Sequence, residues 1–227
     1  MTPPLKAVLW DLDGTLIDSE TYWIRTELDI ASEHGAAWGE ADGLAAVGQP
    51  LSHTAEMMIA RGVRSTVADL TTELLERMRE LVRTRGVPYR PGVTELMSGL
   101  RDAGVLQGLV TMSFGGYVDA VVAGTSGTFG VVQTGDTVAR GKPDPEIYLR
   151  AVSSLGVEVR HCLAIEDSPS GVGAILAAGV TPVAVPFMVD IPHDDRLVFL
   201  PSLEGIGVDT LDVIHREWQR GGPRAGR

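Results

Sequence analysis

The apolar residues of this chain come in short runs, and several of those runs are continuous rather than alternating. Ala7-Val8-Leu9-Trp10 is the first of them. A strand that is apolar on both faces must be covered on both faces, the condition met by a parallel sheet between helical layers. Six segments read as strands: Lys6–Trp10, Gln107–Met112, Gly130–Thr134, Cys162–Glu166, Thr181–Pro186 and Leu197–Leu200. Helical patterns lie between them. Gly92–Ala103 sets Val93, Leu96, Met97 and Leu100 on one face, with Gly104 as its C-cap; Pro145–Leu155 does the same with Ile147, Tyr148, Ala151 and Leu155; Gly171–Ala178 ends at Gly179. Alternating strands and helices predict an α/β fold with a doubly wound parallel sheet.

The stretch 16–88 breaks the alternation. It holds no strand pattern but three helical ones: Ile24, Leu28 and Ala31; Leu51, Ala55, Met58 and Ile59; then Val67, Leu70, Leu74, Met78 and Leu81, punctuated by glycines at 35, 62 and 86. The expected organisation is an α/β core from 1–15 and 89–227, with an inserted helical domain at 16–88. The chain has 227 residues, 44% of them hydrophobic, which is enough for one large core and a compact insert. The tail from Arg220 to Arg227 is rich in Gly, Arg and Pro and is expected to fray.

In open α/β sheets ligands bind beyond the carboxyl ends of the strands, so the residues just past each strand carry the functional signal. The first strand leads into Asp11-Leu12-Asp13-Gly14-Thr15. The second ends in Thr111-Met112-Ser113, the third runs on to Gly141-Lys142-Pro143, and the fourth ends in Glu166-Asp167-Ser168. Residues two apart on a strand point the same way, which would set Asp11 and Asp13 side by side. Two like charges about 4 Å apart cost ~1 kcal/mol in water and ~4 kcal/mol at a protein surface. Four clustered carboxylates therefore call for a cation. Oxygen ligands select a hard one, with Mg²⁺ the best match, and Lys142 suits an anion such as a phosphoryl group beside the metal. An EF-hand loop also begins Asp-x-Asp, but its later oxygen ligands and closing Glu are missing here.

Charge and cysteine content narrow the rest. The formal net charge is −11, which opposes general nucleic-acid binding. Cys162 is the only cysteine, so no intrachain disulfide can form and a reducing, cytoplasmic setting is expected. Met1–Lys6 carries no signal-peptide pattern, and no apolar run approaches the ~20 residues of a membrane span.

The four strand-end segments, in this order, resemble the haloacid dehalogenase (HAD) superfamily, with its Rossmann-like core and, in the 16–88 segment, its small helical cap. The match falls on Asp11-Leu12-Asp13-Gly14-Thr15, on Thr111, on Lys142 in Gly141-Lys142-Pro143-Asp144-Pro145, and on Glu166-Asp167 in Ile165–Gly171. The resemblance implies Asp11 as a nucleophile forming an aspartyl-phosphate and Asp13 as the general acid and base. It implies that Thr111, Lys142 and backbone N–H groups near Leu12 and Met112 hold the phosphoryl oxygens. It also implies Mg²⁺ held by Asp11, the Asp13 carbonyl and Asp167, with Glu166 assisting directly or through water. Ser113 is an alternative hydroxyl to Thr111.

Within the superfamily, Asp13 argues against halide displacement, which needs no leaving-group proton. The absence of any lysine between Lys6 and Lys142 argues against a Schiff-base phosphonate hydrolase. The branch resembled is that of β-phosphoglucomutase and the sugar-phosphate phosphatases. The cap stretch Gly48–His53 lacks the arginine with which the mutases grip a second phosphate, so hydrolysis is favoured. The expectation is a Mg²⁺-dependent phosphatase acting on a small phosphate ester, sugar phosphates included, as a monomer or homodimer with no nucleic-acid or membrane partner. The alternatives are a β-phosphoglucomutase-like phosphomutase and a non-catalytic phosphate-binding protein. The cap residues Trp23, His53 and Met57 are read as packing or surface groups rather than substrate contacts, with Trp23 and His53 worth testing for such a contact. His34, His161, His193 and His215 are assigned no role, and Cys162 is expected to be a small core residue.

Overall fold

The computed structural model describes residues 2–47, 49–125 and 127–221. Gly48, which heads the stretch compared with the mutases, and residues 222–227 of the Gly/Arg/Pro-rich tail lie outside the described residues.

Six parallel strands form one sheet: β1 (Ala7–Trp10), β2 (Leu106–Val110), β3 (Val131–Gln133), β4 (Cys162–Glu166), β5 (Thr181–Ala184) and β6 (Val198–Phe199), in the spatial order β3-β2-β1-β4-β5-β6. The order reverses at β1, which pairs with β2 on one side and β4 on the other. Strands β1 and β4 are buried along their whole length. Helices α5 (Val93–Asp102), α7 (Glu146–Ser154), α8 (Pro169–Ala178) and α9 (Val208–Gln219) cover the faces. Ala7 and Leu9 share a core with Val110, Cys162 and Ala164 and with Ile147, Tyr148 and Ala151 of α7 and Ile175 of α8. Trp10 points the other way, as strand alternation requires. Its indole N–H donates to Gln107 Oε1 at 3.1 Å, and Gln107 Nε2 donates to the Met97 carbonyl of α5 at 2.9 Å, so the buried amide is satisfied at both ends.

The chain forms two compact units. One consists of 1–17, 89–115 and 125–227 and carries the sheet; the other consists of 18–88 and 116–124 and is helical. The helical unit contains α1 (Glu20–His34), α2 (Glu40–Ala46), α3 (Leu51–Ala60), α4 (Val67–Arg85) and all but the first residue of α6 (Gly115–Gly124). Thr66 caps α4 by accepting from the Asp69 N–H at 3.1 Å, and Gly35 ends α1 in the left-handed region at φ 63°.

Three helices, α2, α6 and α9, have no counterpart among the helical patterns of the sequence. Helix α2 is only seven residues long and α6 is built largely of Gly, Ala and Val, so both carry little helical periodicity, whereas α9 buries Leu211 and His215 at helical spacing. In α1 the buried residues are Thr26, Glu27, Ile30 and Ala31, with Ile24 and Leu28 only half-buried. Two polar residues thus occupy part of the face that apolar spacing alone assigns elsewhere. Helix α8 starts two residues earlier than its apolar pattern, because Pro169 takes the first helical position, where its missing N–H costs nothing.

Candidate active site

All the acidic segments named from the sequence lie in the sheet-bearing unit. The Asp11 N–H donates to the Ile165 carbonyl at 3.1 Å, continuing the β1–β4 ladder one residue past the strand. Lys142 arrives from the loop before α7, and its side chain is almost wholly buried. Its ammonium donates to Asp11 Oδ1 at 2.6 Å, to Glu166 Oε1 at 2.6 Å and to the Val110 carbonyl at 3.1 Å, which uses its three protons. The Tyr148 ring lies 5.3 Å from the same nitrogen. Glu166 Oε2 accepts from the Ser168 N–H at 2.8 Å and the Ser168 hydroxyl at 2.9 Å. The Ser168 oxygen in turn accepts from the Gly171 N–H at 3.1 Å, capping α8. Glu166 lies so close to Gly171 that a Cβ there would overlap the carboxylate. Only glycine allows this approach.

Asp167 is cradled by the turn after β1. Gly14, at φ +83°, lies against Asp167 Oδ2 with no room for a Cβ, and the Thr15 hydroxyl donates to Asp167 Oδ1 at 3.2 Å. Asp11, Glu166 and Asp167 each place a carboxylate oxygen within 4.8 Å of the others. Burial pushes Asp11 well above the usual carboxylate range, reinforced by Glu166, and pushes Asp167 up to about 7, again with Glu166 adding to it. Burial alone would pull Lys142 down, but the Asp11 and Glu166 carboxylates outweigh it and hold the ammonium well above its ordinary value.

Asp13 does not join that group of three. Strand β1 ends at Trp10, before both aspartates, and Asp13 forms a bridge to Ile17. Asp13 Oδ2 accepts from the Ser113 hydroxyl at 2.5 Å. The Ser113 N–H donates to Thr111 Oγ1 at 2.9 Å, and the Thr111 N–H donates to the Gln133 carbonyl at 2.9 Å. Asp13 is thereby tied to the segment after β2 that holds Thr111 and Met112. The Met112 side chain is partly exposed and packs over Gly141, next to Lys142.

The donor set fits a hard divalent cation. Three carboxylates against one ammonium leave two negative charges in a buried place, the charge one divalent ion balances. Asp11 Oδ2 and Asp167 Oδ2 accept none of the hydrogen bonds described, whereas both Glu166 oxygens are engaged. Glu166 therefore fits better as the anchor of Lys142 than as a direct ligand.

The helical-unit candidates have ordinary surroundings. Trp23 packs edge-on to Tyr117 at 5.7 Å between ring centroids, and exposed His53 faces Glu56 at 3.4 Å. Cys162 is buried in the core, where burial raises its thiol to about 12. Thr15, Ser168 and Arg90 support the site without having been singled out by sequence. Thr15 and Ser168 stand inside the strand-end motifs, while nothing local marks Arg90.

Residues 5–179 match the family model described as haloacid dehalogenase-like hydrolase. Hexitol phosphatase A of Escherichia coli is 34% identical over 206 residues, covering 89% of this chain and 94% of that protein. Protein YhcW of Bacillus subtilis is 35% identical over 212 residues, covering 88% and 94%. Among solved structures, CbbY from Rhodobacter sphaeroides in complex with phosphate superimposes with a TM-score of 0.76 at 26% identity, over 92% of this chain and 99% of that one. The chain belongs to the haloacid dehalogenase-like hydrolases, as a phosphatase-type enzyme. No described helix is long and apolar enough to cross a membrane.

Proposed function

We propose that this protein is a Mg²⁺-dependent phosphatase that hydrolyses a small sugar-type phosphate monoester through an aspartyl-phosphate on Asp11. The observation that carries the reading is the Lys142 ammonium bridging Asp11 and Glu166, with Asp167 in the same buried group. Residues far apart in sequence meet there in the composition that phosphoryl transfer needs. The phosphatases of hexitols and of N-acetylmuramic acid 6-phosphate among its relatives favour a sugar-type substrate. The single cysteine, buried, favours the cytoplasm.

In this reading Asp11 and Asp167 would hold Mg²⁺, with Glu166 supporting the site through Lys142 and the Asp13 carbonyl completing the protein's share. The ion's contribution is to neutralise charge on the phosphoryl oxygens and orient them. An Asp11 carboxylate oxygen attacks phosphorus, and the P–O bond to the substrate alcohol breaks. Asp13, oriented by Ser113, gives its proton to the departing oxygen. The same carboxylate then takes a proton from water, whose oxygen attacks the phosphorus of the aspartyl-phosphate, releasing inorganic phosphate and restoring Asp11. Thr111 and the N–H groups near Leu12 and Met112 hold the phosphoryl oxygens, and the Lys142 ammonium exchanges its contact with Asp11 Oδ1 for one of them. The helical unit takes the part of the cap, which selects the substrate.

A panel of phosphate esters, assayed with Mg²⁺ and with chelator, tests this. Turnover of monoesters that chelation abolishes and Mg²⁺ restores is expected, with Asp11→Asn inactive and normally folded. Full turnover in chelator, or an active Asp11→Asn, would refute it. Bisphosphate-dependent interconversion of hexose 1- and 6-phosphates would make it a mutase instead.

A further inference from the structure

Arg90 lies just past the chain's return from the helical unit and belongs to the sheet-bearing unit. Its side chain crosses to the acidic site. Nη1 donates to the Gly14 carbonyl and, at 3.3 Å, to the Val185 carbonyl just past β5. The guanidinium stands 4.3 Å from the Phe187 ring centroid, a stacking arrangement that fixes its plane. The Arg90 backbone N–H also donates to the Leu16 carbonyl at 3.1 Å, and Ile17 bridges to Tyr89. Residues 14–17 are thus held by Arg90 through both its main chain and its side chain.

What Arg90 holds is the cradle of Asp167. Gly14 lies against one Asp167 oxygen and the Thr15 hydroxyl donates to the other. Asp13 is the next residue back. We infer that Arg90 is a positioning residue for the metal site: by pinning the Gly14 carbonyl to the end of β5 it fixes the turn that orients Asp167, and so strengthens binding of a divalent cation. This rests on the Mg²⁺ reading proposed for the site.

Geometry and charge make opposite demands here, which gives the inference a sign. Arg90 is a cation whose field reaches Asp167. If charge alone mattered, removing it would tighten Mg²⁺ binding. If anchoring matters, removing it loosens the ligand and weakens binding, in the range of about tenfold typical of residues that orient metal ligands.

The experiment is calorimetric Mg²⁺ titration of the full chain, with the Mg²⁺-induced rise in melting temperature as a second readout, for the parent, Arg90→Gln and Arg90→Lys. The expected result is about tenfold weaker Mg²⁺ binding in Arg90→Gln, partly recovered in Arg90→Lys, which keeps the charge and a donor nitrogen but loses the planar guanidinium over Phe187. Equal or tighter binding in Arg90→Gln would overturn the inference. If Arg90→Gln fails to fold, Arg90→Lys decides alone, since unaltered affinity there would mean that the stacked guanidinium anchor is dispensable and would overturn the inference. A parent protein that binds no Mg²⁺ would refute the metal reading itself, a result distinct from parent binding that Arg90→Gln leaves intact.

Discussion

At the scale of single residues, the site depends on two places where a side chain is absent. Gly14 and Gly171 let Asp167 and Glu166 approach the backbone more closely than any Cβ would allow. Gly171→Ala should push the Glu166 carboxylate off Lys142, leaving a buried ammonium one partner short. Overpacking of this kind costs about 1–3 kcal/mol, and it strikes the group that organises Asp11. We expect a lowered denaturation midpoint together with a kcat reduced at least about tenfold. A variant with parental kcat would show that the Glu166–Lys142 contact is not required for turnover. These glycines were visible in the sequence only as motif members. Their function as windows for a carboxylate is a three-dimensional fact, as is the reach of Arg90 to Gly14 across 76 positions.

At the scale of elements, sequence legibility followed burial. Cys162–Glu166 matches β4 end for end, because a strand buried on both faces is a continuous apolar run. Leu197–Leu200 shrinks to the two residues of β6 at the sheet edge, where one side has no partner to extend it. In the helical unit, α1 turns Glu27 inward, where the Trp38 indole N–H donates to its carboxylate at 3.3 Å. Burial raises Glu27 from 4.5 to about 7, only partly countered by that hydrogen bond. Because the folded state holds this proton more tightly than the unfolded chain, the resulting stability is complete below about pH 4.5. It is lost as pH rises through about 7. The loss is on the order of 3 kcal/mol. Glu27→Gln, which keeps an acceptor for Trp38, should be more stable than the parent at pH 8, and its stability should fall less between pH 5 and pH 7. Denaturant melts across that range check it; parallel pH profiles for the two proteins would mean Glu27 does not titrate in the fold.

At the scale of the whole molecule, the chain passes between its units at 17/18, 88/89, 115/116 and 124/125. The last two crossings were not legible, because α6 carries too weak a pattern to separate it from the core segments around it. Strand ends were legible for a physical reason. A parallel sheet brings the carboxyl ends of its strands to one edge, so residues 11, 142, 166 and 167 converge whatever the intervening helices do. The hydrogen bond from the Ser113 hydroxyl to Asp13 was not foreseeable, since it depends on how the segments after β1 and β2 meet. A net charge of −11 makes the arrangement more pointed: an anionic substrate is met by local cations, not by the protein's overall field. The central claim is that this edge makes Asp11 a nucleophile toward phosphorus. Its most direct test is mass spectrometry of the enzyme acid-quenched during turnover of a monoester with Mg²⁺. A phosphoryl group on the peptide containing Asp11, absent in Asp11→Asn, is expected. A phosphoryl group on any other residue, or rapid turnover with none trapped at any quench time, would contradict the claim.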